Sequence, residues 1–244
     1  MCRAAIAQGI PEIGFTEHYD LAVGDPQRDW FRPEPWLAEL TRCRLEFAGQ
    51  LTIRAGIEIG EPHIFASESE QLLAHWPFDY VLGSLHWVGE ESIFDPGYFR
   101  RRTPDEAYGQ FFAELANLTS TRGFDILSHF DVPIRTAHAV YGYYDPNRYE
   151  EAIRTVLQQC IDREIALDLN TSALRKRAKV LTPAPEILHW YVEMGGQHIT
   201  LGSDAHHPEH VGNHLDVALR IAWEAGLRHV TQFEQRQARL VPFA

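Results

Sequence analysis

Short apolar runs of strand character alternate along this chain with longer stretches of helical period. The strand-like runs are GFTEH (Gly14–His18), AGIEIG (Ala55–Gly60), YVLGSLH (Tyr80–His86), FDILSHFD (Phe124–Asp131), ALDLNTS (Ala166–Ser172) and ITLGSDAHH (Ile199–His207). A helix over Met1–Gly9 leads into a first strand that ends at Phe15, and an irregular loop rich in Asp, Pro and aromatic residues covers Tyr19–Pro35. Helices are predicted at Trp36–Gly49, Ser67–His75, Asp105–Arg122, Arg148–Arg163, Pro183–Gly195 and Gly212–Gly226. In Asp105–Arg122, the residues Tyr108, Phe111, Phe112, Leu115 and Leu118 recur on one side of a 3.6-residue turn. The remaining strands fall at Thr52–Ile59, Phe78–Leu85, Asp125–Ser128, Ala166–Leu169, Ile199–Gly202 and, as a short terminal piece, Val230–Phe233, with a loop over Val88–Arg102. Such alternation predicts parallel strands joined by helices. A barrel is favoured over an open doubly wound sheet because no Gly-rich phosphate or dinucleotide turn is present.

The ends of these runs carry the chemistry. A parallel barrel gathers its strand ends at one rim, so His18, Glu58, His86, His129, Asp204 and His206 can converge from across the chain. In GSDAHH (Gly202–His207) the small residues allow a turn at the strand exit, and Asp204 and His206, two residues apart, face the same side. Glu58 sits between Ile57 and Ile59 in an otherwise apolar strand, and a carboxylate there needs a partner because burying it unpaired is costly. His86 and His129 close equivalent strand ends in GSLH and LSHFD. Either one alone reads as a hydrogen-bonded core histidine, whereas two together with Glu58 and Asp204 read as metal ligands. The set points to metal-dependent hydrolysis.

Composition narrows the class. The chain has 244 residues, 45% of them hydrophobic and 23% charged, enough for a single domain over residues 1–244. No apolar run has the length of a membrane span, and the first residues lack the order of a signal peptide. Three cysteines without metal or redox spacing fit reduced thiols in the cytoplasm. A net charge of −12 argues against nucleic acid as a partner. Nothing in the composition fixes an oligomeric state.

The motifs GFTEH, GIE (Gly56–Glu58), GSLHW (Gly83–Trp87), FDILSHFDVP (Phe124–Pro133), NTS (Asn170–Ser172) and GSDAHHP (Gly202–Pro208) resemble the PHP (polymerase and histidinol phosphatase) family, its histidinol-phosphatase branch in particular. The resemblance implies an α/β fold, a distorted parallel (β/α)7-type barrel. It also implies a centre of up to three divalent metal ions, zinc first, with manganese or iron as alternatives. The implied reaction is hydrolysis of L-histidinol phosphate, a step of histidine biosynthesis, by a metal-bridging hydroxide. By the family pattern one ion takes Glu58, His86 and His129, a second takes Glu58 and Asp204, and a third takes His18 and His206. The family's opening strand, with its His-x-His, has no counterpart here, so the expectation is a barrel lacking its first strand and a longer natural chain. Arg175, just past NTS, is the expected phosphate clamp, with His207 as a further substrate group. Asp131, His206 and His207 are the candidates to protonate the leaving alkoxide, and Trp30, Trp87 and Asp95 to receive the imidazole and amino group. Two other readings stay open: a phosphoesterase acting on nucleotides or other small esters, and a metal-depleted remnant with a binding role.

Overall fold

In the computed structural model, which describes residues 1–243, the six runs become one parallel sheet. Its strands are β1 (Glu12–Tyr19), β2 (Thr52–Gly60), β3 (Tyr80–Ser84), β6 (Ile126–Leu127), β7 (Ala166–Asn170) and β8 (Ile199–Gly202), paired in that order. Two short strands, β4 (Trp87–Val88) and β5 (Glu91–Ser92), form a hairpin beyond β3, and β9 (His229–Glu234) pairs antiparallel with β10 (Gln237–Pro242) near the end of the chain. The sheet is curled into a half-barrel. His18 on one edge strand and His206 just past the other have ring centroids only 5.8 Å apart. β1 and β8 each pair on one side only, and the Gln8 side chain spans the gap by donating to the Val211 carbonyl.

The period-two alternation of each strand separates two environments. On the outer face Ile57, Ile59, Val81, Leu127, Leu167, Leu169 and Ile199 pack into the main core. They meet Phe111, Phe112 and Leu115 of α5 (Pro104–Thr119), Ile153, Val156 and Leu157 of α7 (Glu150–Asp162), and Ile187, Leu188 and Tyr191 of α8 (Pro185–Glu193). Full burial of each such side chain stabilises the fold by roughly 1.5–3 kcal/mol. The inner face is divided along its length. Tyr80, Leu82, Ile126 and Ala166, from the strand starts and middles, pack with Phe233 of the terminal hairpin. The same face ends in His18, Glu58, Ser84, Ser128 and Asp168, so one end of the half-barrel is apolar and plugged while the other is polar.

Several elements differ from the sequence expectation. β1 runs on to Tyr19, four residues beyond Phe15, because β2 is available to pair with it throughout; its register sets His18 opposite Glu58. α2 (Pro33–Glu46) starts three residues early, with proline in its first turn, where a missing N–H costs nothing. The expected loop Val88–Arg102 contains the β4–β5 hairpin and α4 (Pro96–Arg100), whose N-cap Asp95 accepts the Gly97 amide. An unforeseen helix, α6 (Ile134–Tyr141), follows the SHFDVP segment, with Ile134 and Ala137 buried. It is too short for its period to stand out. β6 shrinks to two residues, and β9 belongs to its own hairpin instead of the barrel.

Candidate metal centre

Glu58 is the hub of the polar rim. Its Oε1 accepts the Ser84 hydroxyl at 2.6 Å and lies 3.3 Å from His86 Nε2 and 3.2 Å from His129 Nε2. Those two nitrogens are 3.4 Å apart. The other oxygen, Oε2, is 3.9 Å from His18 Nε2. Donors around a tetrahedral zinc with bonds of about 2.0–2.1 Å stand about 3.3–3.4 Å from one another. The spacings within the triangle of Glu58, His86 and His129 match that separation. Donor atoms of His18, Glu58 and His86 also lie within 4.8 Å of one another.

The hydrogen-bond inventory agrees with that fit. His86 Nδ1 is 3.1 Å from Asp20 Oδ1, so a proton on Nδ1 leaves Nε2 as a lone pair facing Glu58. Buried electron pairs gathered this closely call for a cation. Without a metal the group balances its charge with protons. Burial opposes charge on Glu58, yet His18, His129 and His86 hold its carboxyl well below the usual range. For His86, burial is outweighed by Asp20 and Glu58, which push its pKa well above the ordinary value. His18 rises to about 9, burial being overcome by Glu58 and Asp20. His129 goes the other way, because burial prevails over Glu58.

Backbone geometry serves the same rim. His129 (φ 25°) and Asp204 (φ 47°) both adopt left-handed conformations, which cost of order 1–3 kcal/mol in a non-glycine residue. Asp204 is held by Arg135, whose Nη2 donates to Asp204 Oδ2 at 2.7 Å and to Asn170 Oδ1 at 3.0 Å. Burial opposes charge on Asp204, but Arg135 keeps its pKa low. Arg175 approaches the same turn, donating from Nη2 to the carbonyls of Ser203 (2.7 Å) and Asp204 (3.0 Å). Arg135 Nε and Arg175 Nη1 are buried without a partner.

The structure brings together His18, Glu58, His86 and His129, with the ring of His206 5.8 Å from that of His18 and Asp204 next to His206. His206 is exposed, its Nδ1 3.4 Å from Asp204 Oδ1. Asp131 is not part of the group: it is 1% exposed and accepts the Ala184 amide at 3.1 Å, where burial raises its pKa to about 7. His207 is exposed and packs against His210, with ring centroids 5.7 Å apart. Trp87 donates to Asp25, Asp95 caps α4, and Trp30 stands out in solvent. Instead, the half-exposed ring of Phe94 lies 5.4 Å from that of His86. Arg101 and Arg102 are taken up by Glu91. Arg135 and Asp20 are the residues that sequence reasoning missed. Two surface hollows, one on α7 and one between the first helix (Cys2–Ala7), β1 and α2, lie away from this rim.

A profile of the PHP domain matches residues 1–172. The chain belongs to the PHP family. Relatives within it include the probable histidinol-phosphatase of Clostridium acetobutylicum, 29% identical over 225 residues, covering 92% of this chain and 86% of that protein. The probable histidinol-phosphatase of Deinococcus radiodurans is 28% identical over 242 residues, covering 94% and 87%. Among solved structures, histidinol phosphate phosphatase from Lactococcus lactis, in complex with zinc, L-histidinol and phosphate, matches with a TM-score of 0.86. It is 25% identical and covers 98% of this chain and 90% of that one. The fold is shared with a putative histidinol phosphatase of Listeria monocytogenes, with a TM-score of 0.77 at 18% identity.

Proposed function

We propose that this chain is a metal-dependent phosphomonoesterase that hydrolyses L-histidinol phosphate to L-histidinol and phosphate. The observation that carries the reading is the Glu58–His86–His129 triangle, with donor spacings of 3.2–3.4 Å. Glu58 Oε1, His86 and His129 would hold one divalent ion; Glu58 Oε2, His18, Asp204 and His206 would serve its neighbours. Zinc suits this imidazole and carboxylate set, and manganese or iron can take the same donors. Such ions supply Lewis acidity, lowering the pKa of water and drawing charge from phosphoryl oxygens.

The protein side of the reaction is anion binding and proton delivery. Arg135 Nε and Arg175 Nη1 are buried donors without acceptors, and a buried donor left unpaired costs about 1–3 kcal/mol. A phosphoryl group beside Asp204 supplies the missing oxygens, and guanidinium is suited to bind them. Of the groups expected to protonate the leaving alkoxide, only His206 stands at the rim, and it could serve there only through a ring nitrogen that holds no ion. The one sheet that draws strands from Glu12 to Gly202 supports treating residues 1–244 as a single catalytic domain. No helix among the described residues is long and apolar enough to cross a membrane. Free Cys2, Cys43 and Cys160 suit the reducing cytoplasm.

The decisive experiment is phosphate release from L-histidinol phosphate after zinc or manganese loading, beside a chelator-treated control. Chelator-sensitive turnover is the expected result. Faster turnover of a nucleotide monophosphate in the same assay would move the assignment to another phosphate ester.

A further inference from the structure

Asp20 lies immediately behind two of the metal-facing histidines. It is 3% exposed, in the loop after β1. Its Oδ1 is 3.1 Å from His86 Nδ1, and its Oδ2 is 3.0 Å from His18 Nδ1, the latter at ion-pair distance but off the hydrogen-bonding line. The far nitrogens of the same two rings face opposite oxygens of Glu58: His86 Nε2 faces Oε1, and His18 Nε2 faces Oε2. One carboxylate thus stands behind a ligand on each side of the bridging glutamate.

We propose that Asp20 is a positioning residue that orients His18 and His86 together and couples the filling of two neighbouring metal positions. The inference rests on the metallophosphatase reading of the rim. An anionic acceptor behind an imidazole fixes the proton on Nδ1, turns the Nε2 lone pair toward the ion and raises its basicity. Because the acceptor is shared, an ion that draws one ring into place also fixes the carboxylate against which the other ring is held. Gly60 supplies an independent geometric sign. A Cβ there would stand 2.3 Å from Asp20 Oδ1 and 3.6 Å from His86 Nδ1. The end of β2 is therefore bare where the carboxylate has to lie. Glu61 fixes the same segment from the other side, its Oε1 accepting the backbone amides of His86 (2.6 Å) and Trp87 (3.0 Å).

The test is calorimetric titration of the metal-stripped full chain with zinc, together with the visible spectrum of the cobalt-loaded protein. Asp20→Ala should weaken two zinc-binding steps by ~10–100-fold, the usual cost of losing an outer partner. Asp20→Asn retains a single acceptor oxygen and should weaken one step more than the other, a split that general loosening of the fold would not produce. Gly60→Ala, which keeps the carboxylate but pushes it aside, should alter the cobalt spectrum in the same direction as Asp20→Asn. Wild-type affinities and an unchanged cobalt spectrum in a folded Asp20→Asn protein would overturn the role of Asp20 alone. A wild-type chain that takes up no zinc would overturn the metal reading with it.

Discussion

Under the proposed function Arg135 and Arg175 would offer the phosphoryl group their unpaired donors, Nε and Nη1, and so the effect of each can be estimated. A hydrogen bond to a charged group contributes about 1.5–3 kcal/mol, so Arg175→Ala should lower kcat/KM by roughly 10–150-fold. Arg135→Ala should cost more, because it also releases Asp204 from the 2.7 Å contact that keeps its carboxylate charged and in place. Steady-state kinetics with zinc at saturation checks both, and unchanged constants for Arg175→Ala would remove it from the site. The two arginines also mark how far side chains are legible in a sequence. Glu58, His86, His129 and Asp204 stand out because packing alone rarely places a charged or imidazole residue at the end of an apolar strand. Arg175 follows a strand end at short range and is accessible by the same logic. Arg135 sits on a helix of eight residues, and its function depends on a partner at position 204 that no local pattern reveals. Asp20 is hidden differently, being one of several acids in a loop where aspartate is ordinary.

At the level of elements, the site depends on glycines that let side chains cross the inner face of the half-barrel. Gly56 is opposite Thr16 on β1, and a Cβ there would come within 2.6 Å of Thr16 Cγ2 and 2.7 Å of the Tyr80 ring. Both neighbours are held in the barrel floor below Glu58, so neither can swing away freely. Gly56→Ala should destabilise by about 1–3 kcal/mol, the usual range for overpacking. A methyl group at Gly109, in the middle of α5, would meet nothing within 4 Å. There the same substitution should stabilise by about 0.5–1 kcal/mol through helix propensity. Urea denaturation of the two variants should give midpoints that move in opposite directions, and a shared direction would contradict this account of the interior. The alternation of strand and helix is readable because long amphipathic helices such as α5 carry a clear period. The short pieces are not, since α6, the β4–β5 hairpin and the two-residue β6 are held by tertiary contacts instead of by a repeat of their own. β1 extends beyond its apolar residues for the same reason: β2 offers it a complete ladder as far as Tyr19.

Over the whole molecule, the rim joins parts of the chain that are far apart in sequence. His18 and Glu58 come from β1 and β2, His86 and His129 follow β3 and β6, and Asp204 and His206 follow β8. β1 and β8 do not pair with each other, so the polar end of the half-barrel lacks a closing ladder of backbone hydrogen bonds. Ions bound among these side chains bind the folded state and have no equivalent site in the unfolded chain, where the ligands are scattered over residues 18–206. At free zinc about a thousand times its dissociation constant, one site adds ~4.1 kcal/mol of stability. For a chain of this size, that corresponds to a rise in Tm of about 8–16 °C. Differential scanning calorimetry of stripped and zinc-loaded protein measures it directly, and the shift should grow with zinc concentration. Magnesium should give much less, because imidazole donors suit zinc, manganese and iron better than a cation that prefers oxygen and retains its water. An equal rise with magnesium would point to carboxylates alone as the binding groups, and no rise with zinc would mean that the converging histidines hold protons, not metal.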